Sequence, residues 1–422
     1  MVTSVPSRFD SLSRAELAVL VPELLLCGHL IDRSGMAHTI AAFGRAGMTA
    51  VAIEEWQLAS PVYSRRMREA MRIPGDGVDA VFKAMQLDIG APPQFMDFRY
   101  RVIDHDHGEF HLDHCGALAD VEPMGEDYVV AMCHHIEDPT FDATALATNP
   151  RIRVRPVHRP PRVPADRHPV CAWTVTIDDS HTPPPTPANA HRTANSRAAL
   201  LELPPIEREG PGLHDYAGPL LADLRFGDFS RSALVRMADE VCLQHHLLTL
   251  GFRIALAERA DEPTALAIAR KQFTGIAGLT AERIRRALGL GDDTAALAKV
   301  LRLHPAWNPA AYVGVEVAVE TVGGNQAVEL RLRRDCDAVA DGAWPALLAS
   351  DHLEPLDAMA RGVNPRFHTR LRAADDDLLV VEIAMAATPF READEVAVTR
   401  FSTGADFTFT EHGSTPLPLT TG

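Results

Sequence analysis

Residues 8–30 read RFDSLSRAELAVLVPELLLCGHL, and residues 225–247 read RFGDFSRSALVRMADEVCLQHHL. At an offset of 217, nine of the 23 positions are identical: Arg8, Phe9, Ser13, Arg14, Leu17, Glu23, Leu26, His29 and Leu30. Average amino-acid usage gives roughly one or two by chance. The correspondence runs on downstream. RRMREAMRIPGD (65–76) faces ERIRRALGLGDD (282–293), and VFKAMQLD (81–88) faces LAKVLRLH (297–304). LDHCGAL (112–118) faces RRDCDAV (333–339), and VCAWTVTI (170–177) faces DLLVVEIA (377–384). The chain reads as one unit written twice, a first repeat at 1–178 and a second at 219–422. A Pro-rich linker at 179–218 is expected to stand outside both, and 8–178 is expected to superpose on 225–385.

Each unit has the periodicity of an α+β fold. LAVLVPELLL, MAHTIAAFG and YSRRMREAMRI have helical spacing, and a further helix restarts after Pro74-Gly75. Phe98, Tyr100 and Val102 then alternate with Arg99 and Arg101, the period of a strand. Strands are expected at 109–115, 151–157 and 170–177. Between them, residues 124–148 read as a helix in two pieces, broken at Asp138-Pro139. The unit is thus N-terminal helices followed by a β-β-α-β-β layer. The second half repeats this order, with strands at 311–319, 327–334, 366–372 and 377–385, and edge strands in the tail 395–412.

Composition narrows the function. A net charge of −16 argues against nucleic acid as a partner, because phosphate binding needs a basic face. The first residues, MVTSVPSRFD, lack the layout of a signal peptide. The longest apolar run, Leu17 to Leu30, is too short to span a bilayer. Six cysteines lie far apart, which reads as reduced thiols in the cytoplasm rather than a disulfide framework. The expected partner is a small molecule; the sequence sets no oligomeric state.

Chemistry concentrates in the first half. Between 104 and 138 stand six of the chain's 19 histidines, with Cys115, Cys133, Glu137 and Asp138. Imidazole and thiolate are the ligands zinc chooses, and also the pair used for activated nucleophiles. Period 2 puts His111, Asp113 and Cys115 on one face of their strand. If the helix packs back across the sheet, Cys115, Cys133 and Cys171 converge. The candidate catalytic set is Cys133 or Cys115 as nucleophile, His134 as base and Asp138 to orient it. The candidate metal set is Cys115, Cys133, His134 and Cys171, with zinc as the metal. Arg155, Arg159 and His158, in the basic stretch RVRPVHRPPR, are candidates to hold a carboxylate. Each has a plain structural alternative: free Cys is a good core residue, and the basic stretch is a proline-rich loop. No C-x2-C, H-E-x-x-H, G-x-G-x-x-G, Walker A or G-x-S-x-G motif is present. Glu23 and His29, repeated as Glu240 and His246, stand about 240° apart around a helix, so they do not share a face. They read as structural hydrogen-bonding groups. Cys336, opposite Cys115 but without histidines beside it, is expected to be buried and inert.

Taken together, CGAL, C-H-x-I-E-D, N-P-x-x-x-V-x-P and C-x-W make one unit resemble the L-2-amino-thiazoline-4-carboxylate hydrolase-like family and the related 4-vinyl reductase small-molecule-binding domains. The points of contact are Cys115, Cys133, Asp138, Arg155, Cys171 and Trp173. The resemblance implies a hydrolase-like enzyme acting on ring C–N or amide-like bonds of a small carboxylate-bearing substrate. The alternative is a non-catalytic small-molecule or zinc-binding sensor.

Overall fold

The computed structural model describes residues 5–322 and 324–410. It is α+β, with two separate four-stranded antiparallel sheets. The first half opens with α1 (Arg14–Ala70) and α2 (Val78–Met85), then β1 (Met96–Val102) and β2 (His107–Cys115). Three short pieces follow: α3 (Gly116–Val121), α4 (Glu126–Val130) and a turn wound as a π-helix, Ala131–Ile136. Then come α5 (Glu137–Leu146), β3 (Ile152–His158) and β4 (Cys171–Ile177). α6 (Ala190–Ala194) and α7 (Arg197–Leu200) stand between the halves. The second half carries α8 (Arg231–Ala257), α9 (Glu262–Ala287), α10 (Thr294–Leu303), β5 (Val315–Val322) and β6 (Asn325–Arg333). It ends with α11 (Asp337–Asp341), α12 (Glu354–Val363), β7 (Phe367–Ala374), β8 (Leu378–Met385) and α13 (Asp394–Thr399). The strand orders are β1-β2-β4-β3 and β5-β6-β8-β7, so the two sheets share one topology.

Local chemistry accounts for the helix limits. Ser13 caps α1 in a capping box with Glu16, and Ser230 caps α8 through the amide of Ala233. α1 is two helices merged across a kink at Gly44, whose φ of 69° and ψ of 178° are open only to glycine. α8 and α9 make the same reversal with a short connection, Asp261 capping α9. Asp138-Pro139 does not break the helix, contrary to the expectation from sequence. The backbone stays helical from the π-wound turn through Ile136 and Glu137 into α5, and the dipeptide follows that change of winding. The tail carries no edge strand through residue 410. Residues 394–399 form α13, and 411–412 lie outside the described residues.

The halves are joined by reciprocal bonds. Arg14 donates to the carbonyls of Phe229 (2.7 Å) and Gly227, and Arg231 donates to those of Leu12 (2.9 Å) and Asp10. Arg283 meets Glu23 at 2.7 Å, and Arg66 meets Glu240 at 3.0 Å. The pairs 14/231, 12/229, 23/240 and 66/283 all stand 217 apart, as in the sequence alignment. Exchange of this kind is the pattern of an isologous interface, here closed within one chain.

The segment 179–218 is not a bare tether. Thr193 and Ala198 are fully buried, and Asp341 of the second half accepts from the amides of Arg197 and Ala198. The tail does the corresponding thing in reverse: Asp120 of the first half accepts from Ser402 and Thr403.

Candidate functional site

The three first-half thiols all enter the core. Cys115 and Cys171 stand at the same end of the sheet, since Met96 pairs with Cys115 and Leu112 with Cys171. The register slips between Met96 and Phe98, so Cys115 turns to the core side while His111 and Asp113 keep the outer face. The Cys115 sulfur accepts from the Leu118 amide. The π-wound turn points Cys133 inward, where it is 2% exposed. Burial pushes the Cys115 thiol up to about 12 and raises Cys133 and Cys171 too, and Glu137 adds to all three.

This arrangement does not make the sequence-predicted triad. His134 is directed away from the thiols, its Nε2 2.7 Å from the Pro160 carbonyl. Asp138 is ion-paired with Arg159 and is not hydrogen-bonded to His134. A protonated thiol without an imidazole partner is a poor nucleophile. The zinc set does not fit either. Among the described residues, no group of three or more His, Cys, Asp or Glu side chains is placed to hold a metal ion. Arg155 pairs with Asp142 at 2.9 Å, and Arg159 lies over the Trp173 ring, so both tie the sheet and its loop to α5. His158 is on the outer face, opposite Ala172, which separates it from His111; burial lowers the pKa of both. Cys336 is half-buried, not buried, because it caps the short helix α11 at the surface.

The first half instead holds a cavity of about 90 Å³ between α1, β1 and α5. Apolar walls come from Met85, Met96, Met132, Phe98, Phe141 and Trp56. Three carboxyl groups reach it: Asp32 from α1, Asp88 from the turn after α2, and Glu137 from the first turn of α5. Burial raises Glu137 to about 8, opposed by Arg159 and aided by Asp138. Burial also raises Asp88 to about 6, against hydrogen bonds from the Gly90 amide, Tyr63 and Ser64. Asp32 accepts from Trp56 Nε1 at 2.6 Å. His29 is 6% exposed, and burial and then Arg33 lower it to about 3, so it is neutral. Arg33 also lines the cavity, but its Nε is held by Asp120 at 3.1 Å. One buried polar atom here, Glu137 Oε2, has no hydrogen-bond partner among the described residues, while the His29 ring stands against the Ile89 backbone and Arg33.

The corresponding places in the second half carry different chemistry. Thr249, Leu250 and Gln272 stand 217 residues after Asp32, Arg33 and Glu55. Trp344, 1% exposed, stacks on Phe273 and meets His246 edge-on. The sequence reading pointed to the first half through its thiols and histidines, not through this cavity. His29 entered it only as a repeated structural residue, Glu137 only as a member of the Cys/His window, and Asp32, Arg33 and Asp88 not at all. The available signal was partial: Asp32, Arg33 and Glu55 face Thr249, Leu250 and Gln272 at the offset of 217, whereas Glu137 and His29 face Glu354 and His246.

No helix among the described residues is long and apolar enough to cross a membrane. No family model matches the chain, and neither a curated protein nor a solved structure matches it.

Proposed function

We propose that the first half binds a small molecule in the cavity bounded by α1, β1 and α5, and that the second half is its scaffold. The observation that carries this is an apolar cavity reached by a buried carboxyl, Glu137, with an unpartnered oxygen. Apolar walls with a few convergent polar groups of perturbed pKa are the usual makings of a ligand site. The size is small: a cavity of about 150 Å³ takes benzene, so about 90 Å³ suits a ligand of a few heavy atoms. Three methionines in the wall allow it to widen, since the thioether chain is adaptable.

A second reading, hydrolysis of a small carboxylate-bearing substrate, is favoured by the Glu137 pKa near working pH. In it Glu137, rather than Cys133, gives the proton to the leaving nitrogen. Unpaired, buried thiols support a reducing, cytoplasmic setting.

The test is to fill the cavity. Ala117 lines it and is 3% exposed. Ala117→Leu is expected to abolish small-molecule binding, followed by ligand-observed NMR with a panel of small amines, alcohols and acids. Unchanged binding in a folded variant overturns the proposal. Product formation by the unaltered chain, lost in Glu137→Gln, would select the enzymatic reading.

A further inference from the structure

The charges around the cavity do not balance. Asp32, Asp88 and Glu137 face it, and Glu55 lies buried behind Asp32. Against these stands one guanidinium, Arg33, already neutralised by Asp120, whose two oxygens also accept from Ser402 and Thr403. His29 is neutral. Without a cation the site meets the cost of burying carboxyls in two ways: burial holds Glu137 at about 8 and, together with Asp32, raises Glu55, so these keep protons, while Asp88, raised only to about 6, accepts from Gly90, Tyr63 and Ser64. The remaining groups facing Glu137 are Arg159, Asp138, and the thiols of Cys115, Cys133 and Cys171. Of these only Arg159 is cationic, and Asp138 occupies it. Acidity alone would not define a site. Here a cavity accompanies it, together with a solvent-shielded, unpartnered oxygen on Glu137. The rings of Trp56, Phe98 and Phe141 in the wall add faces that attract a cation.

Resting on the small-molecule reading above, we propose that this cavity takes small aliphatic amines as ammonium ions, with the nitrogen against Glu137 and the hydrocarbon against the methionines. No bond is made or broken in the ligand. Glu137 passes its proton to solvent as the ion pair forms, and the ammonium keeps its own.

The experiment is calorimetry on the full chain with three probes of nearly equal size: isobutylammonium, isobutanol and isobutyrate. Isobutylammonium is expected to bind at least about tenfold tighter than isobutanol, and isobutyrate not to bind. Its affinity should rise with pH and level off near 8, the value for Glu137. Buffers of different ionisation enthalpy should show a proton released. Glu137→Gln should weaken ammonium binding about tenfold and abolish the proton release. Isobutanol or isobutyrate binding as tightly as the ammonium overturns the ligand class and leaves the small-molecule reading standing. Binding of none of the three overturns both, and ammonium binding unchanged in Glu137→Gln overturns the placement of the nitrogen.

Discussion

Glu137 puts an acid where an acid is expensive, and the expense has a sign. A carboxyl whose pKa is raised from 4.5 to about 8 by burial binds its proton more tightly in the folded chain than in the unfolded one. Stability from this group is therefore greatest below about 4.5 and declines as pH rises toward 8, by up to a few kcal/mol. Glu137→Gln removes the titration and keeps the shape. The variant's stability advantage over the unaltered chain is expected to grow between pH 5 and about 8 and then hold constant, read from urea midpoints. A constant difference across that range would mean Glu137 is ionised in the fold. The thiols make a second residue-scale prediction. Cys115, Cys133 and Cys171 are buried with raised pKa values, and Cys27 and Cys242 are buried as well, whereas Cys336 is half-buried. A thiol reagent on the native protein should label Cys336 first, read by mass spectrometry of peptides; prior labelling of Cys133 would restore it as a reactive group.

Elements, rather than single residues, decide what was legible in the sequence. Period-2 alternation and the Gly/Pro punctuation located all eight strands to within a few residues, because alternation follows directly from one buried sheet face. The 240° separation of Glu23 and His29 was also sound, since Glu23 turns to Arg283 while His29 turns to the cavity. What the sequence hid were irregularities that re-aim side chains. The slip in β1–β2 pairing moves Cys115 to the core, and the π-wound turn before α5 sets the angle at which Cys133 and Glu137 enter. Neither leaves a periodic trace. Gly44 is a third such irregularity and can be tested. Nothing lies within 4 Å of a Cβ built there, so packing would tolerate alanine, but its φ of 69° with ψ of 178° would not. Gly44→Ala is expected to cost about 1–3 kcal/mol through backbone strain alone. A loss below about 0.5 kcal/mol, the ordinary range for surface substitutions, would show that the kink re-forms elsewhere in α1.

At the scale of the whole molecule, the two halves hold one another through matching arginines, and the match is uneven. Arg283 is 1% exposed in its side chain and serves Glu23 and the carbonyls of Gly404, Ala405 and Phe407 at 2.7–2.9 Å. Arg66 serves Glu240 and the carbonyls of Ala199 and Leu201, but Glu240 keeps a second guanidinium, Arg236, at 2.8 Å. Removing Arg66 leaves Glu240 paired. Removing Arg283 leaves Glu23, whose pKa burial already raises, without its guanidinium partner and the Phe407 carbonyl without its donor, while Ala405 keeps Arg286 and Gly404 keeps the Phe407 amide. Breaking a buried pair from one side costs about 3–5 kcal/mol, so Arg283→Ala should lower stability by about that amount and Arg66→Ala by clearly less. The loss has a location as well as a size. The 404–407 segment is held over the first half by Arg283 and by the Asp120 clasp on Ser402 and Thr403, and Asp120 in turn fixes Arg33 at the cavity. Hydrogen exchange in Arg283→Ala should therefore quicken in 404–407 and reach the first-half residues around Asp120, while β7 and β8 of the second half keep their protection. Equal losses in the two variants, or exchange confined to the second half, would mean that the halves stand independently and that the reciprocal arginines decorate an interface held by apolar packing alone.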